Sequence, residues 1–170
     1  SGDLAEEFTV SMLDGLLNNK HWIARNVRVP NPRSKTGNTE IDVLVVGPRR
    51  IWCVEVKNNK GIIEVDPRKP RWNVKCGKAE YETRDPSRQV LSQKLALETY
   101  LKKHGINTKV GTLVYYASPD AMPTGASGFR GIPILRSPGT IASVIKMDAG
   151  EVNFRVRKVL SKLKPILKDK

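Results

Sequence analysis

The feature that most constrains the fold is a pair of apolar, β-branched runs joined by a four-residue turn. The runs are EIDVLVV (residues 40–46) and IWCVEVK (residues 51–57), with Gly47-Pro48-Arg49-Arg50 between them. Such runs on either side of a short Gly/Pro turn are typical of a β-hairpin. Because both runs are almost continuously apolar, we expect the hairpin to lie at the centre of a sheet, covered on both faces.

Two carboxylates face each other in this hairpin if the turn comprises Gly47–Arg50. Val46 then pairs with Ile51, and the same register places Asp42 directly opposite Glu55. Directly opposed residues share a face, with Cβ atoms about 5 Å apart. Two carboxylates this close repel each other unless a cation lies between them or one of them is protonated. The inference depends on turn length, because a one-residue slip would put the acids on opposite faces.

Lys57 has two interpretations. It follows Glu55 by two residues, so it projects from the same face about 6–7 Å along the strand. A hard cation such as Mg²⁺ between Asp42 and Glu55 would take oxygen ligands, and Lys57 could then orient water or stabilise charge on a phosphate. The same register also places Glu40 opposite Lys57, which would give a cross-strand salt bridge instead. The pattern alone leaves both interpretations open.

The remaining chain predicts helices and strands around this hairpin. The predicted helices cover residues 3–18, 86–103, 138–147 and 152–167, and the predicted strands cover 22–29, 62–65, 72–74, 109–117 and 132–136. In the first helix, Leu4, Phe8, Met12 and Leu16 recur at helical spacing. The order helix, strands, helix, strand, helix predicts an α/β sandwich around a mixed sheet.

Composition bounds the class of protein and its partners. The 170 residues predict a single domain, 1–150, with 151–170 as a basic helix packed on it. Thirty Lys and Arg against seventeen Asp and Glu give a net charge of +13, which favours a polyanionic partner, most commonly nucleic acid. An acidic membrane surface or an acidic protein would fit the charge equally well. No run approaches the roughly 20 apolar residues that span a bilayer, and no secretory signal is visible. Cys53 and Cys76 lack metal-ligand spacing, so both are interpreted as small core residues with free thiols. Free thiols are usual in a reducing compartment, which predicts a cytoplasmic location.

The order of several motifs resembles one known family. The motifs are Gly2-Asp3-Leu4-Ala5-Glu6, with Ala5 in place of the usual Gly, then TEID (39–42), IWCVEVKNNKG (51–61), Trp72 and Asp85-Pro86-Ser87-Arg88-Gln89. Over about residues 2–117 the chain resembles the nuclease-related domain (NERD) family, which is grouped with the PD-(D/E)xK nucleases. The resemblance implies a restriction-endonuclease-like three-layer sandwich with a central mixed sheet. It also implies that Asp42, Glu55 and Lys57 form the catalytic core.

The first predicted helix offers a third carboxylate. At 100° per residue, Glu6 falls between Leu13 and Leu17 at the edge of the apolar stripe, whereas Glu7 lies on the polar face. A carboxylate at the edge of a core needs a partner. Glu6 is therefore a candidate catalytic residue and metal ligand with Asp42, and its alternative is an ordinary surface glutamate.

The helix over 86–103 carries two glutamines in its apolar stripe. Gln89 and Gln93 share that stripe with Ala96, Leu97 and Tyr100. Buried amides need hydrogen-bond partners, which the rim of an active site could supply. Gln89, the glutamine of the family's P-x-x-Q motif, is a candidate catalytic residue. The alternative for both is a capping or backbone-bonding role.

These observations favour a nuclease dependent on Mg²⁺ or Mn²⁺ that hydrolyses phosphodiester bonds, in DNA rather than RNA, by direct attack of water. One alternative is a non-catalytic nucleic-acid-binding module on the same fold, and another is a domain that docks an acidic protein. Clustered acids favour the nuclease, because without a cation they would repel phosphate. Residues 151–170 contain seven Lys and Arg against two acids, which suits either a solvated basic face over an apolar stripe or a segment that contacts phosphates.

Overall fold

A five-stranded mixed sheet forms the centre of the structure, a computed structural model that describes residues 2–148 and 156–167. In chain order the strands are β1 (Trp22–Pro30), β2 (Asn38–Val46), β3 (Ile51–Lys57), β4 (Gly61–Ile63), β5 (Arg71–Cys76), β6 (Ala79–Arg84), β7 (Gly111–Tyr116), β8 (Ala121–Pro123) and β9 (Ile134–Leu135). The helices are α1 (Gly2–Leu16), α2 (Pro86–Lys103), α3 (Pro138–Met147) and α4 (Val156–Leu163). The central sheet has the order β1-β2-β3-β7-β9, in which β1, β2 and β3 are antiparallel and β3, β7 and β9 are parallel.

Helices cover both faces of this sheet. One buried cluster, the α1-side core, includes Leu13 and Leu17 from the α1 region and Ile141 of α3. The other, the α2-side core, includes Leu97 of α2 and Leu163 of α4. The predicted restriction-endonuclease-like sandwich is confirmed. The β2–β3 hairpin lies inside it, with both strands almost fully buried.

The chain of residues 61–84 and 121–123 forms a second sheet that the sequence did not predict in full. Its order is β6-β5-β4-β8, and it contributes Ile63, Trp72 and Val74 to the α2-side core. Strand β6 has the sequence AEYETR and is exposed along almost its whole length. Ala79, Tyr81 and Thr83 alternate with Glu80, Glu82 and Arg84, so the period of a strand is present, but the segment has no strongly apolar face and was not predicted as a strand. Strand β8 lies within segment 118–131, whose Gly and Pro residues are typical of a loop rather than a strand.

The most regularly spaced apolar residues of helix α1 do not face the sheet. A different side of the helix is buried. Leu4, Phe8, Met12 and Leu16 are 73%, 58%, 39% and 37% exposed. The buried side comprises Ala5, Glu6, Thr9 and Leu13, with Leu17 just beyond the helix end. The Thr9 hydroxyl donates to the carbonyl of Ala5 at 2.6 Å, so it can be buried without another partner. A satisfied Thr and a buried Glu therefore interrupt the apolar pattern of the true inner face.

The C-terminal helix packs on the sandwich. The prediction of a helix over 152–167 falls partly outside the described residues, and within them α4 is followed by a 3₁₀ turn over Lys164–Ile166. Val159 and Leu163 are fully buried, and the Tyr100 hydroxyl donates to the carbonyl of Lys162 at 3.0 Å.

Among the helices that the structure describes, none is long and apolar enough to cross a membrane.

Strands β1 and β2 exchange faces halfway along their length. Residues packing in the α2-side core are Ala24, Val27 and Val29 of β1 and Ile41, Leu44 and Val46 of β2. Strict alternation would not place 24 with 27, or 41 with 44, on one face. The change occurs at Asn26, whose φ is +55°, and at Asp42, which lies opposite Asn26 in the register of the flanking pairs. A left-handed residue is uncommon for non-glycine side chains and is best tolerated by Asn and Asp.

Candidate active site

The hairpin register brings Asp42 and Glu55 together, as predicted. The β2–β3 ladder pairs Val46 with Ile51 and continues to Val43 with Val54, so the next positions are Asp42 and Glu55. The regular backbone pairing of β2 with β3 ends at Val43 and Val54. Beyond it, the Asp42 side chain binds the β3 backbone, and its Oδ2 accepts from the N–H of Val56 at 2.9 Å. Burial and the repulsion between the two carboxylates favour one proton on the pair, which the raised pKa of Asp42 described below reflects.

Glu55 is held by two further side chains. It is 5% exposed, its Oε1 accepts from Gln93 Nε2 at 2.8 Å, and its Oε2 lies 3.3 Å from Lys57 Nζ. Burial of a carboxyl is tolerated when its oxygens have donors of this kind. Gln93, which sequence reasoning weighed but did not rank with Gln89, is thus the glutamine that contacts the acid pair directly.

The salt bridge between Lys57 and Glu40 is not formed. Lys57 instead pairs with Glu55, and Glu40 lies 3.7 Å from Arg28 on the neighbouring strand β1. The cause is the exchange of faces at Asp42. Because β2 reverses its alternation there, Glu40 no longer projects to the face that Glu55 and Lys57 share. The interpretation of Lys57 as half of that pair was wrong.

Burial and repulsion from neighbouring carboxylates raise the pKa values of Asp42 and Glu6. Burial, followed by the charge of Glu55 and the hydrogen bond to it, raises the pKa of Asp42 to about 8. Burial also raises the pKa of Glu6 to about 7, with further contributions from Asp3, Glu40 and Glu55 that the Arg25 guanidinium opposes. Perturbed carboxyls of this kind concentrate at functional sites, although structural networks produce them too.

Glu6 is buried on the inner side of α1, as the helical projection predicted, but among the described residues it does not form a three-carboxylate group with Asp42 and Glu55. It is 7% exposed, whereas Glu7 is exposed. With its amide oriented to match donors and acceptors, Asn26 donates from Nδ2 to Glu6 Oε1 at 2.6 Å and to Glu40 Oε1 at 3.1 Å. Its Oδ1 then accepts from Arg25 at 3.2 Å. Sequence reasoning missed Asn26, and the signal that could have revealed it is the broken alternation in IARNVRV.

Two buried glutamine oxygens on α2 lack partners within the described chain, and one of these glutamines, Gln93, contacts the acid pair. The Oε1 atoms of Gln89 and Gln93 are buried and accept no hydrogen bond from the described part of the chain. An orphaned buried acceptor is costly and calls for an explanation such as a bound water or ion. Gln93 is 5% exposed and already contacts Glu55 through its nitrogen, so its oxygen lies beside the acid pair.

The donor set suits a cation that needs few protein ligands. Within residues 2–148 and 156–167, no group of three or more His, Cys, Asp or Glu side chains is arranged to hold a metal ion. A Zn²⁺ site, which needs three or four such ligands, does not fit. Mg²⁺ keeps several waters and often uses only one or two carboxylates. Asp42 and Glu55, with orphaned amide oxygens beside them to accept from water, fit that requirement.

Comparison with known proteins identifies the family. The chain matches the family model of the nuclease-related domain over residues 1–117, which covers α1, the β2–β3 hairpin and all the acids described above. Comparisons with curated proteins and with solved structures give no significant match. The match to the family model covers more than half of the sequence, and the observed sandwich and hairpin agree with it. The chain therefore belongs to the nuclease-related domain (NERD) family, within the PD-(D/E)xK-like nuclease superfamily.

Proposed function

We propose that this protein is a nuclease that hydrolyses phosphodiester bonds, with DNA as its preferred substrate and Mg²⁺ or Mn²⁺ as its cofactor. The observation that carries the proposal is the acid pair Asp42 and Glu55 with Lys57 Nζ 3.3 Å from Glu55. The resemblance of the chain's motifs to the nuclease-related domain implies these same three side chains as the catalytic core, and the match to that family over residues 1–117 supports it.

Asp42 and Glu55 would hold the cation. The pair already shares one proton, and binding of a divalent cation would replace that proton with a stronger positive charge. When bound, the cation would polarise a phosphate oxygen and make water a better nucleophile. Gln93 keeps the Glu55 carboxylate oriented by its 2.8 Å hydrogen bond, so little motion is needed on binding.

The remaining residues would act on water and on charge. Lys57 is about one quarter exposed, so its ammonium can reach both Glu55 and a phosphate in the opening of the site. There it would orient the attacking water or stabilise the charge that develops as the ester bond breaks. The orphaned oxygens of Gln89 and Gln93 would accept from water in the site. Glu6, which does not complete a direct ligand set, would act through water as well.

The basic surface would supply affinity for the substrate. The net charge of +13 attracts a polyanion regardless of sequence. On α4, Arg157 and Lys158 are exposed, and Lys164 follows in the 3₁₀ turn, while Val159 and Leu163 point into the core. Substituting the three exposed cations therefore tests phosphate binding better than truncation, because truncation would also remove core residues.

Cleavage assays with matched variants test this proposal. Wild type and Asp42→Asn should be compared on plasmid DNA, single-stranded DNA and RNA with Mg²⁺ or Mn²⁺, and Mn²⁺ binding measured by calorimetry. Glu7→Gln is the matched control, because Glu7 is an exposed acid on α1. We expect Asp42→Asn to lose both cleavage and Mn²⁺ binding while Glu7→Gln retains both. If folded wild type binds DNA but neither cuts nor binds Mn²⁺, the protein is instead a non-catalytic binding module.

A further inference from the structure

The backbone of β1 is left-handed at a single position beside the acids. Asn26 has φ +55° in the middle of the strand, and the regular pairs on either side are Arg25 with Val43 and Val27 with Ile41. In that register Asn26 lies opposite Asp42. The left-handed residue adds no hydrogen bond to the pairing of β1 with β2. Its conformation costs free energy in a non-glycine residue, and the surrounding contacts must offset that cost.

The left-handed turn places the Asn26 amide between two acids from different elements. Its Nδ2 is 2.6 Å from Glu6 Oε1 on α1 and 3.1 Å from Glu40 Oε1 on β2, and its Oδ1 faces Arg25. Each amide proton therefore has a carboxylate acceptor. A serine, alanine or aspartate at this position could not donate to both acids at once.

We propose that Asn26 is a positioning residue that holds Glu6 of α1 against the β1–β2 strands, at the edge of the Asp42–Glu55 site. The effect of Asn26 on cation affinity rests on the proposed function, in which Glu6 acts on the site through water. Asn26 acts through Glu6 and does not itself touch the cation or the substrate. Partners bonded directly to a metal ligand typically change metal affinity 10–100-fold when they are removed, and Asn26, one step further from the cation, is expected at the lower end of that range.

Asn26→Gly is the most informative substitution. Glycine adopts φ +55° without strain, so the variant keeps the kink and the exchange of faces while it removes the amide. We expect it to fold with a denaturation midpoint close to that of wild type and to bind Mn²⁺ about tenfold more weakly. Unchanged Mn²⁺ affinity in folded Asn26→Gly would overturn the proposal, because the kink alone would then account for the site.

A double-mutant cycle with Glu6→Ala separates positioning from a merely structural role. If Asn26 acts through Glu6, Asn26→Gly should have no further effect on Mn²⁺ affinity once Glu6 is absent. Glu7→Ala is the matched control, because Glu7 is the exposed neighbour on the same helix turn. In the Glu7→Ala background the tenfold effect of Asn26→Gly should persist. Full additivity with Glu6→Ala would contradict the proposal.

A measurement on metal-free protein keeps this inference distinct from the proposed function. In ¹⁵N-edited NMR spectra, Glu6→Ala should shift one of the two Asn26 side-chain amide protons, and Glu7→Ala should shift neither. Insensitivity of both protons to Glu6→Ala would overturn the contact, and with it the inference. If wild type binds no Mn²⁺ but the Glu6-dependent shift is observed, the positioning contact stands and the proposed cation site fails.

Discussion

The two ends of the β2–β3 hairpin carry opposite charges in opposite environments. At one end Asp42 and Glu55 are buried or half-buried and share a proton. At the other, about 17 Å along the strands, the Gly47–Arg50 turn borders a cleft of about 260 Å³. Lys20, His21, Arg49, Arg50 and Lys146 line this cleft, and Asp148 is its acidic residue.

The cations at the turn end are paired with other side chains or exposed to water, whereas the acids at the other end are largely buried. Arg50 donates to Asp148 at 2.8 Å and lies over the ring of Trp52, while Arg49 and Lys146 are exposed to water. Burial and the nearby Lys146 lower the pKa of His21, which therefore adds little positive charge near neutral pH. A charged side chain has a low free-energy cost at the solvated turn end and a high one at the buried acid end, where it loses its hydration. The buried acids are consequently the better evidence of function, although the net charge of the chain is strongly positive.

The largest expected difference between the two ends is in catalysis. We expect Lys57→Ala to reduce the cleavage rate by about 10³-fold, since it removes a charge that acts mainly on the transition state. Affinity for DNA should change far less. Arg49→Ala at the turn end is the matched control and should leave the rate of cleavage at saturating DNA unchanged. Equal losses in both variants would show that Lys57 contributes only to general electrostatics.

The next largest effect concerns the support of Glu55. Gln93→Leu keeps the volume of the side chain but removes the donor to Glu55 Oε1, so the buried acid loses a partner. We expect the free energy of unfolding to fall by about 1–3 kcal/mol in urea titrations. Ser92→Ala, at the adjacent exposed position of α2, should have an effect below about 0.5 kcal/mol. A neutral Gln93→Leu would show that Glu55 does not depend on this hydrogen bond.

The pH dependence of stability tests the proton that the acids share. The pKa of Asp42 is raised from 3.8 to about 8, so the folded state binds more protons than the unfolded state between these values. Stability should therefore fall as pH rises from about 4 to 8, and the contribution of Glu6 should be lost between about 4.5 and 7.

Asp42→Asn removes the largest part of this pH dependence. We expect the variant to be more stable than wild type by about 1 kcal/mol or more at pH 9 and to differ much less near pH 4. Saturating Mg²⁺ should restore the stability of wild type at pH 9 but not affect the variant. Parallel pH profiles for the two proteins would refute the shared proton.

The smallest effect is expected at the turn end. Arg49→Ala and Lys146→Ala should each change the free energy of unfolding by less than about 0.5 kcal/mol, because both side chains are exposed. Their pH profiles should follow that of wild type from pH 4 to 9. A loss above 1 kcal/mol would show that this end is as strongly coupled to the core as the acid end.

The elements that were predicted well are those whose pattern is local. The bounds of α2 and α3 agree with the prediction, because Pro begins each helix and the apolar spacing is continuous. The hairpin register also followed from the chain, since a four-residue turn between two apolar runs allows one pairing. Strand β6 was missed because its alternating residues are only weakly apolar and its pairing with β5 is a contact that the short segment does not reveal by itself.

The sequence by itself determined the hairpin, the opposition of Asp42 and Glu55, and the inward position of Glu6, because periodicity and register fix which residues share a face. Only the tertiary structure decided the partners. Lys57 pairs with Glu55 rather than Glu40 because β2 reverses its alternation at Asp42, opposite the left-handed Asn26. Gln93 rather than Gln89 contacts Glu55 because of how α2 packs on the sheet. These outcomes depend on distances between elements far apart in the chain, which no local pattern encodes.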